Sequence, residues 1–214
     1  MTPAHHLPEE LMLAYAAGLL GRAGSVFVES HLALCPVCRV RLALLEDLGG
    51  SLIEREAGSV LSRVTVESVL AASERDGAPA PPHARAGHRC PIMDVPRPLA
   101  RVLPEAMAAE AWQVDVDGLL YYTLDVSDEQ CSVRLLRATK AVVEPLHVHE
   151  GIETVLVLHG GFAAEGDRYD RGDVAVWDES VQHSPAFDAG TLCLCMITIP
   201  GAIRVAADGP RPHD

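Results

Sequence analysis

The sequence predicts an α+β fold of two domains: a small N-terminal helical bundle clipped by a metal ion, then a C-terminal antiparallel β-barrel of jelly-roll type. Three observations predict it. Apolar residues recur at helical spacing up to about residue 72 and in short strand-length runs from about residue 99. Between them, residues 73–98 (SERDGAPAPPHARAGHRCPIMDVPRP) are rich in Pro, Gly, Ala and charge, the composition of a linker. His31, Cys35 and Cys38 read H-x-x-x-C-x-x-C, which brings an imidazole and two thiols to one point, whether on one helix or across a break at Pro36. The expected boundaries are 1–76 for the helical domain, 77–98 for the linker, 99–200 for the barrel and 201–214 for a flexible tail.

Pro8-Glu9-Glu10 opens the first helix, with acids where the helix dipole favours them. Leu11, Ala14, Tyr15 and Leu19 make its apolar stripe, and Gly18 and Gly21 are its stop signals. A second helix is expected from about Ala23 to Leu34, with Val26, Phe27, Ser30 and Leu34 inward. A third is expected from Pro36 to about Leu48, stopped by Gly49-Gly50. A fourth, from about Val60 to Ala72, carries Leu61, Val64, Val69 and Leu70. Beyond the linker, WQVDVDG, LLYYTLDVS, SVRLLRATK, TVLVLHG, DVAVWD and TLCLCMITIP are the expected strands.

A bundle of three or four short helices buries little apolar surface, and small domains often need a metal. Two thiolates and two imidazoles form a closed tetrahedral shell that suits structural Zn²⁺. One N-terminal histidine, His5 or His6, completes the set with His31, Cys35 and Cys38, and His6 is the favoured ligand. A redox C-x-x-C is the competing reading of Cys35 and Cys38, but the βαβ context of that motif is missing.

The second cluster is of another chemical type. His147 and His149 share one face of a strand. Glu153 and His183, from neighbouring strands, can converge on the same point. Three imidazoles and a carboxylate suit Zn²⁺ or another divalent transition metal. Glu144 is either a partner to these ligands or a solvated acid. His159 is expected at a strand end and Trp177 in the core. Cys193 and Cys195, spaced by two, share a face; they either pack as small hydrophobes or form a redox-sensing pair. Cys90 is an incidental linker thiol.

Two resemblances arise from these residues. His6, His31, Cys35 and Cys38 match H-x24-H-x3-C-x2-C, the pattern of the zinc-binding anti-sigma domain. His147, His149, Glu153 and Gly160, then Gly172 and His183, resemble the two cupin motifs, although Asp178 and Ser180 replace the usual proline and glycine and the first motif lacks its leading glycine. In this order, with the late C-x-C, the chain resembles the ChrR family of anti-sigma factors along nearly its whole length. That resemblance implies a helical half that holds a group-IV (extracytoplasmic-function) sigma factor off RNA polymerase. It also implies a cupin half needed for release under photooxidative, singlet-oxygen stress. A cupin metalloenzyme, a dioxygenase or isomerase with an accessory helical domain, is the alternative.

Composition narrows the partners. The formal net charge is −13. Phosphate binding draws on clustered Lys and Arg, and none is visible, so direct nucleic-acid binding is not expected. No apolar run reaches membrane-spanning length and no signal-peptide core opens the chain, which predicts a cytoplasmic protein with reduced thiols.

Overall fold

The computed structural model describes residues 2–56, 58, 65–75, 95–103, 111–126, 131–188, 190, 192–199 and 203–205. Cys90, Leu61, Val64, most of the expected linker and the last nine residues lie outside them.

Five helices are described: α1 (Glu9–Ala16), α2 (Arg22–Leu34), α3 (Pro36–Arg55), α4 (Val66–Arg75) and the single turn α5 (Arg97–Ala100). Pro36 occupies the first turn of α3, where its missing N–H costs nothing. Cys35 precedes it in an extended conformation, and its Sγ accepts the Cys38 N–H at 3.4 Å, so a sulfur caps the helix. The expected stop at Gly49-Gly50 does not occur. A glycine ends a helix by taking a left-handed backbone, as Gly18 does after α1 with φ +68°. Neither Gly49 nor Gly50 has positive φ, so each costs about 1 kcal/mol of propensity and α3 continues to Arg55. The α1 stripe also differs from expectation: Met12 is its buried residue, Leu11 and Tyr15 are partly buried, and Leu19 is exposed. The fourth helix begins six residues later than expected.

The six expected strands are β1 (Gln113–Val116), β2 (Leu119–Thr123), β3 (Ser132–Ala138), β6 (Glu153–His159), β9 (Val174–Trp177) and β11 (Cys193–Ile199). Together they form one antiparallel sheet, ordered β1-β2-β3-β11-β6-β9. A smaller sheet faces it, ordered β4-β10-β7-β8, from β4 (Val142–Val143), β7 (Gly161–Ala164), β8 (Asp167–Asp170) and β10 (Ala186–Phe187). The apolar filling between them includes Leu136, Val155, Phe162, Trp177, Cys195 and Ile197. A third pair joins β5 (His147–His149) to β12 (Ile203–Val205). This corrects the expected flexible tail: Ile203–Val205 lies inside it yet pairs with β5, in the register Ile203↔His149 and Val205↔His147. The β-branched alternation Ile-Arg-Val suits a strand, and β5 presents three residues of unpaired edge to it.

The centre of the large sheet is buried on both faces. Every residue of β11 and the first six of β6 are buried. Leu135, Leu156, Leu158, Val174, Leu194 and Met196 pack with Met12, Phe27, Val28 and Leu99 of the helices in a second apolar core. Here α2 lies across β11, and α5 packs on α2. Full burial of a side chain such as Phe27 or Leu99 is worth about 1.5–3 kcal/mol.

Hydrogen bonds set the position of the chain start on the barrel. The Asp173 carboxylate accepts the Ala4 N–H at 2.6 Å, the His5 N–H at 2.9 Å and the Asp170 N–H at 2.8 Å. The Val174 N–H donates to the His5 carbonyl at 3.2 Å, and the His5 ring lies 4.5 Å from the Tyr169 ring. Gly172 (φ +95°) lets the backbone approach, because a Cβ there would meet Pro3 at 2.7 Å. Asp173→Ala leaves three part-buried N–H donors without their acceptor, each costing about 1–3 kcal/mol when left unpaired. It should lower unfolding free energy by at least about 2 kcal/mol in urea and speed exchange at the Ala4 and His5 amides. Unchanged exchange there would show that this carboxylate does not hold the chain start.

Candidate metal centres

The first cluster lies where α1, α2 and α3 meet. His6 comes from the segment before α1, His31 from the last turn of α2, and Cys35 and Cys38 from the α2–α3 junction. One donor atom from each falls within 4.8 Å of every other. His6 Nδ1 is 3.4 Å from Cys35 Sγ. His5 lies elsewhere, bound to Asp173 through its backbone. His31, Cys35 and Cys38 have no exposed surface. Both ring nitrogens of His31 are buried without a well-formed hydrogen bond, the Gly172 backbone alone acting on the ring as a weak acceptor. A fully buried imidazole without one is costly, and a cation among two sulfurs and two ring nitrogens removes the cost. Burial pushes the Cys38 thiol above its ordinary pKa. It also pushes His31 down to about 4, so the imidazole is neutral, the form that ligates metal.

The second cluster lies inside the barrel. His147 and His149 occupy alternate positions of β5, Glu153 opens β6, and His183 forms an isolated antiparallel bridge with His147 through two 3.1 Å hydrogen bonds. Glu153 Oε2 lies 2.9 Å from His149 Nε2 and 3.0 Å from His183 Nε2. The two Nε2 atoms are 3.2 Å apart. Two donors each about 2.1 Å from one ion at a right angle stand about 3 Å apart, so the spacing fits a shared cation. His147 Nδ1 lies 2.7 Å from the Pro145 carbonyl, which fixes that nitrogen as the protonated one and leaves Nε2 free to ligate. Trp177 stacks on His183 at 4.2 Å. Although burial opposes it, hydrogen bonds from His149 and His183 hold Glu153 below the usual carboxylate range. Burial and the acids Glu153 and Asp115 push the neighbouring Glu144 up to about 8.

Thus the donors expected from sequence are brought together in two groups of four, His6, His31, Cys35 and Cys38 in one and His147, His149, Glu153 and His183 in the other. Cys193 and Cys195 are buried in the barrel core with sulfurs 3.7 Å apart. Their mutual hydrogen bond and burial hold the Cys195 thiol well above its usual pKa, so that thiol rests protonated and unreactive. His159 is exposed at the end of β6. Sequence reasoning missed the role of Asp173 in holding the chain start; its place after Gly172 was the available signal.

Residues 104–201 match the family described as "ChrR Cupin-like domain". The anti-sigma-E factor ChrR of Cereibacter sphaeroides is 35% identical over 211 residues, spanning 99% of this chain and 96% of that protein. The chain belongs to the ChrR family of anti-sigma factors. The crystal structure of Rhodobacter sphaeroides SigE in complex with the anti-sigma ChrR is similar over 92% of this chain and 100% of that one, at 32% identity and a TM-score of 0.75. Both halves of this ChrR homologue, helices and cupin, are therefore parts of one family fold. Among the described residues no helix is long and apolar enough to cross a membrane.

The His31 environment gives a pH prediction. Its folded pKa of about 4 lies below the ordinary value of about 6.5, so the unfolded chain takes up the proton first. The stability contributed by neutral His31 is complete above about pH 6.5 and is lost as pH falls towards 4. Protons also compete with metal for the ring. The urea midpoint should fall from pH 7 to 4.5, and His31→Gln should flatten that slope. An identical slope in the variant would contradict the assignment.

Proposed function

We propose that this chain binds and holds inactive an extracytoplasmic-function sigma factor through its helical half, and that its cupin half governs release under oxidative, singlet-oxygen-type stress. One observation carries the sigma-binding surface. Val40, Leu44, Leu48 and Leu52, spaced by four along α3, are 64%, 65%, 57% and 56% exposed. On α4, Val66, Val69 and Leu70 are exposed as well. A continuous apolar ridge on a helix marks an interface, and it is the opposite of a solvated helix face. The sigma factor seen with ChrR in the related complex names the occupant.

The working division is residues 1–76 for sigma binding, 77–98 as connector and 99–200 plus the strand at 203–205 as the cupin. Zn²⁺ at His6, His31, Cys35 and Cys38 would supply folding free energy through its bonds to the two thiolates and two imidazoles. Those residues fix the α2–α3 angle and hence the direction of the α3 ridge. At His147, His149, Glu153 and His183, zinc or another divalent transition metal would act as the element whose ligands the stress signal attacks. Cys193 and Cys195 are the adjoining thiols open to oxidation once the barrel loosens. The protein works in the cytoplasm, beside the polymerase, and is not an enzyme. The cavity beside the cupin cluster, walled by Leu136, Val155, Phe162, Trp177, Phe187 and Ile197, has room for about one water molecule.

Leu44→Asp with Leu48→Asp should lower affinity for the cognate sigma factor at least about 100-fold by calorimetry while the melting temperature holds, since both side chains are exposed. Wild-type affinity would defeat the assigned surface. His147→Ala with His149→Ala should retain sigma inhibition in a reporter strain but fail to release it under light and a photosensitiser. Loss of inhibition in that double variant would mean the cupin half takes part in holding sigma.

A further inference from the structure

Glu144 stands outside both four-residue clusters, yet its surroundings are those of a working group. Its N–H donates to the Pro185 carbonyl at 2.9 Å, and the Ser184 hydroxyl donates to its carbonyl at 2.6 Å. Its backbone is therefore pinned to the segment that follows His183. Its side chain is only 17% exposed, and Oε1 lies 3.8 Å from His147 Nε2. That nitrogen carries the free lone pair, because His147 Nδ1 serves the Pro145 carbonyl. A lone pair and a carboxylate oxygen thus face one another across a gap too long for a direct hydrogen bond. Among the described residues the charged groups acting on Glu144 are Glu153 and Asp115, both acids. Glu144, Glu153 and His183 line one cavity with room for about one water molecule, and most of its remaining walls are apolar. Polar partners on one side and apolar walls on the other are what a single bound water needs.

We propose that Glu144 is a positioning residue of the cupin centre: its carboxylate holds a water molecule in the coordination position that His147, His149, Glu153 and His183 leave open. This rests on the proposal that those four residues bind a metal. Glu144 accepts a hydrogen bond from the water, the water's oxygen faces the metal position, and no bond is made or broken. The same position then admits only donors of water's size.

Cobalt(II) reports the coordination number directly, since five-coordinate Co²⁺ absorbs visible light several-fold more weakly than four-coordinate Co²⁺. Full-length protein keeping zinc in its thiolate cluster is titrated with Co²⁺. Cobalt entering the thiolate cluster instead is recognised by its sulfur-to-metal charge-transfer bands. Wild type should show the weak five-coordinate spectrum, and Glu144→Ala should convert it to the intense four-coordinate one. Glu144→Gln, which keeps volume and a hydrogen-bonding group, should remain five-coordinate but bind Co²⁺ about 10-fold more weakly. Superimposable wild-type and alanine spectra overturn the role of Glu144 alone. If the alanine variant does not fold, an unchanged cobalt affinity in Glu144→Gln overturns it. A wild-type protein that takes up no cobalt outside the thiolate cluster overturns the metal assignment and this inference together.

Discussion

A sheet that is apolar on both faces has to be covered twice, and that requirement organises this molecule. The smaller sheet covers one face of β3, β6, β9 and β11, and the helices cover the other. Apolar burial over Phe27, Val28 and Leu99 supplies more free energy than the polar contacts at the same junction. The polar contacts supply position: Asp173 fixes where the chain start lies on the barrel. The helical half is thus a docked layer of the cupin fold rather than a bead on a linker.

Docking places the two metal-capable clusters on one structural line. His6 follows His5, whose backbone bonds reach Asp173 and Val174. Val174 opens β9, and β9 closes with Trp177 stacked on His183. One donor of each cluster is therefore tied to the same four-residue strand. The segment that carries His6 therefore rests on a strand that also meets the cupin cluster, whereas the α3 ridge is exposed to solvent. The exposed ridge, the His6–His31–Cys35–Cys38 cluster and the cupin cluster are thus three separate places on one continuous framework.

Much of this was legible in the residues. Each of the six strands read from apolar runs belongs to the large sheet, because buried β-branched and leucine-rich segments carry the strongest pattern. The strands not anticipated, such as β4, β8 and β10, have two to four residues, too few for a period to show. The eight ligand candidates could be grouped because metal chemistry restricts both residue type and spacing. The docking was missed although a signal existed. In VLVL of β6 and CLCMI of β11 the runs are continuous rather than alternating, and continuity means burial on both faces. Gly49-Gly50 misled for the opposite reason: glycine permits a stop, but only a left-handed backbone makes one. The late strand at Ile203–Val205 was hidden by the polar, proline-containing residues after it.

The central claim, that helices and barrel share one core, is tested most directly by native-state hydrogen exchange on the metal-loaded protein. The amides of α2 around Phe27 and Val28 and those of β11 around Cys195 and Met196 should open with the same free energy and merge into one unfolding transition as urea is raised. Helix amides that exchange several kcal/mol more easily, while β11 stays protected, would show that the two halves fold separately and contradict the account.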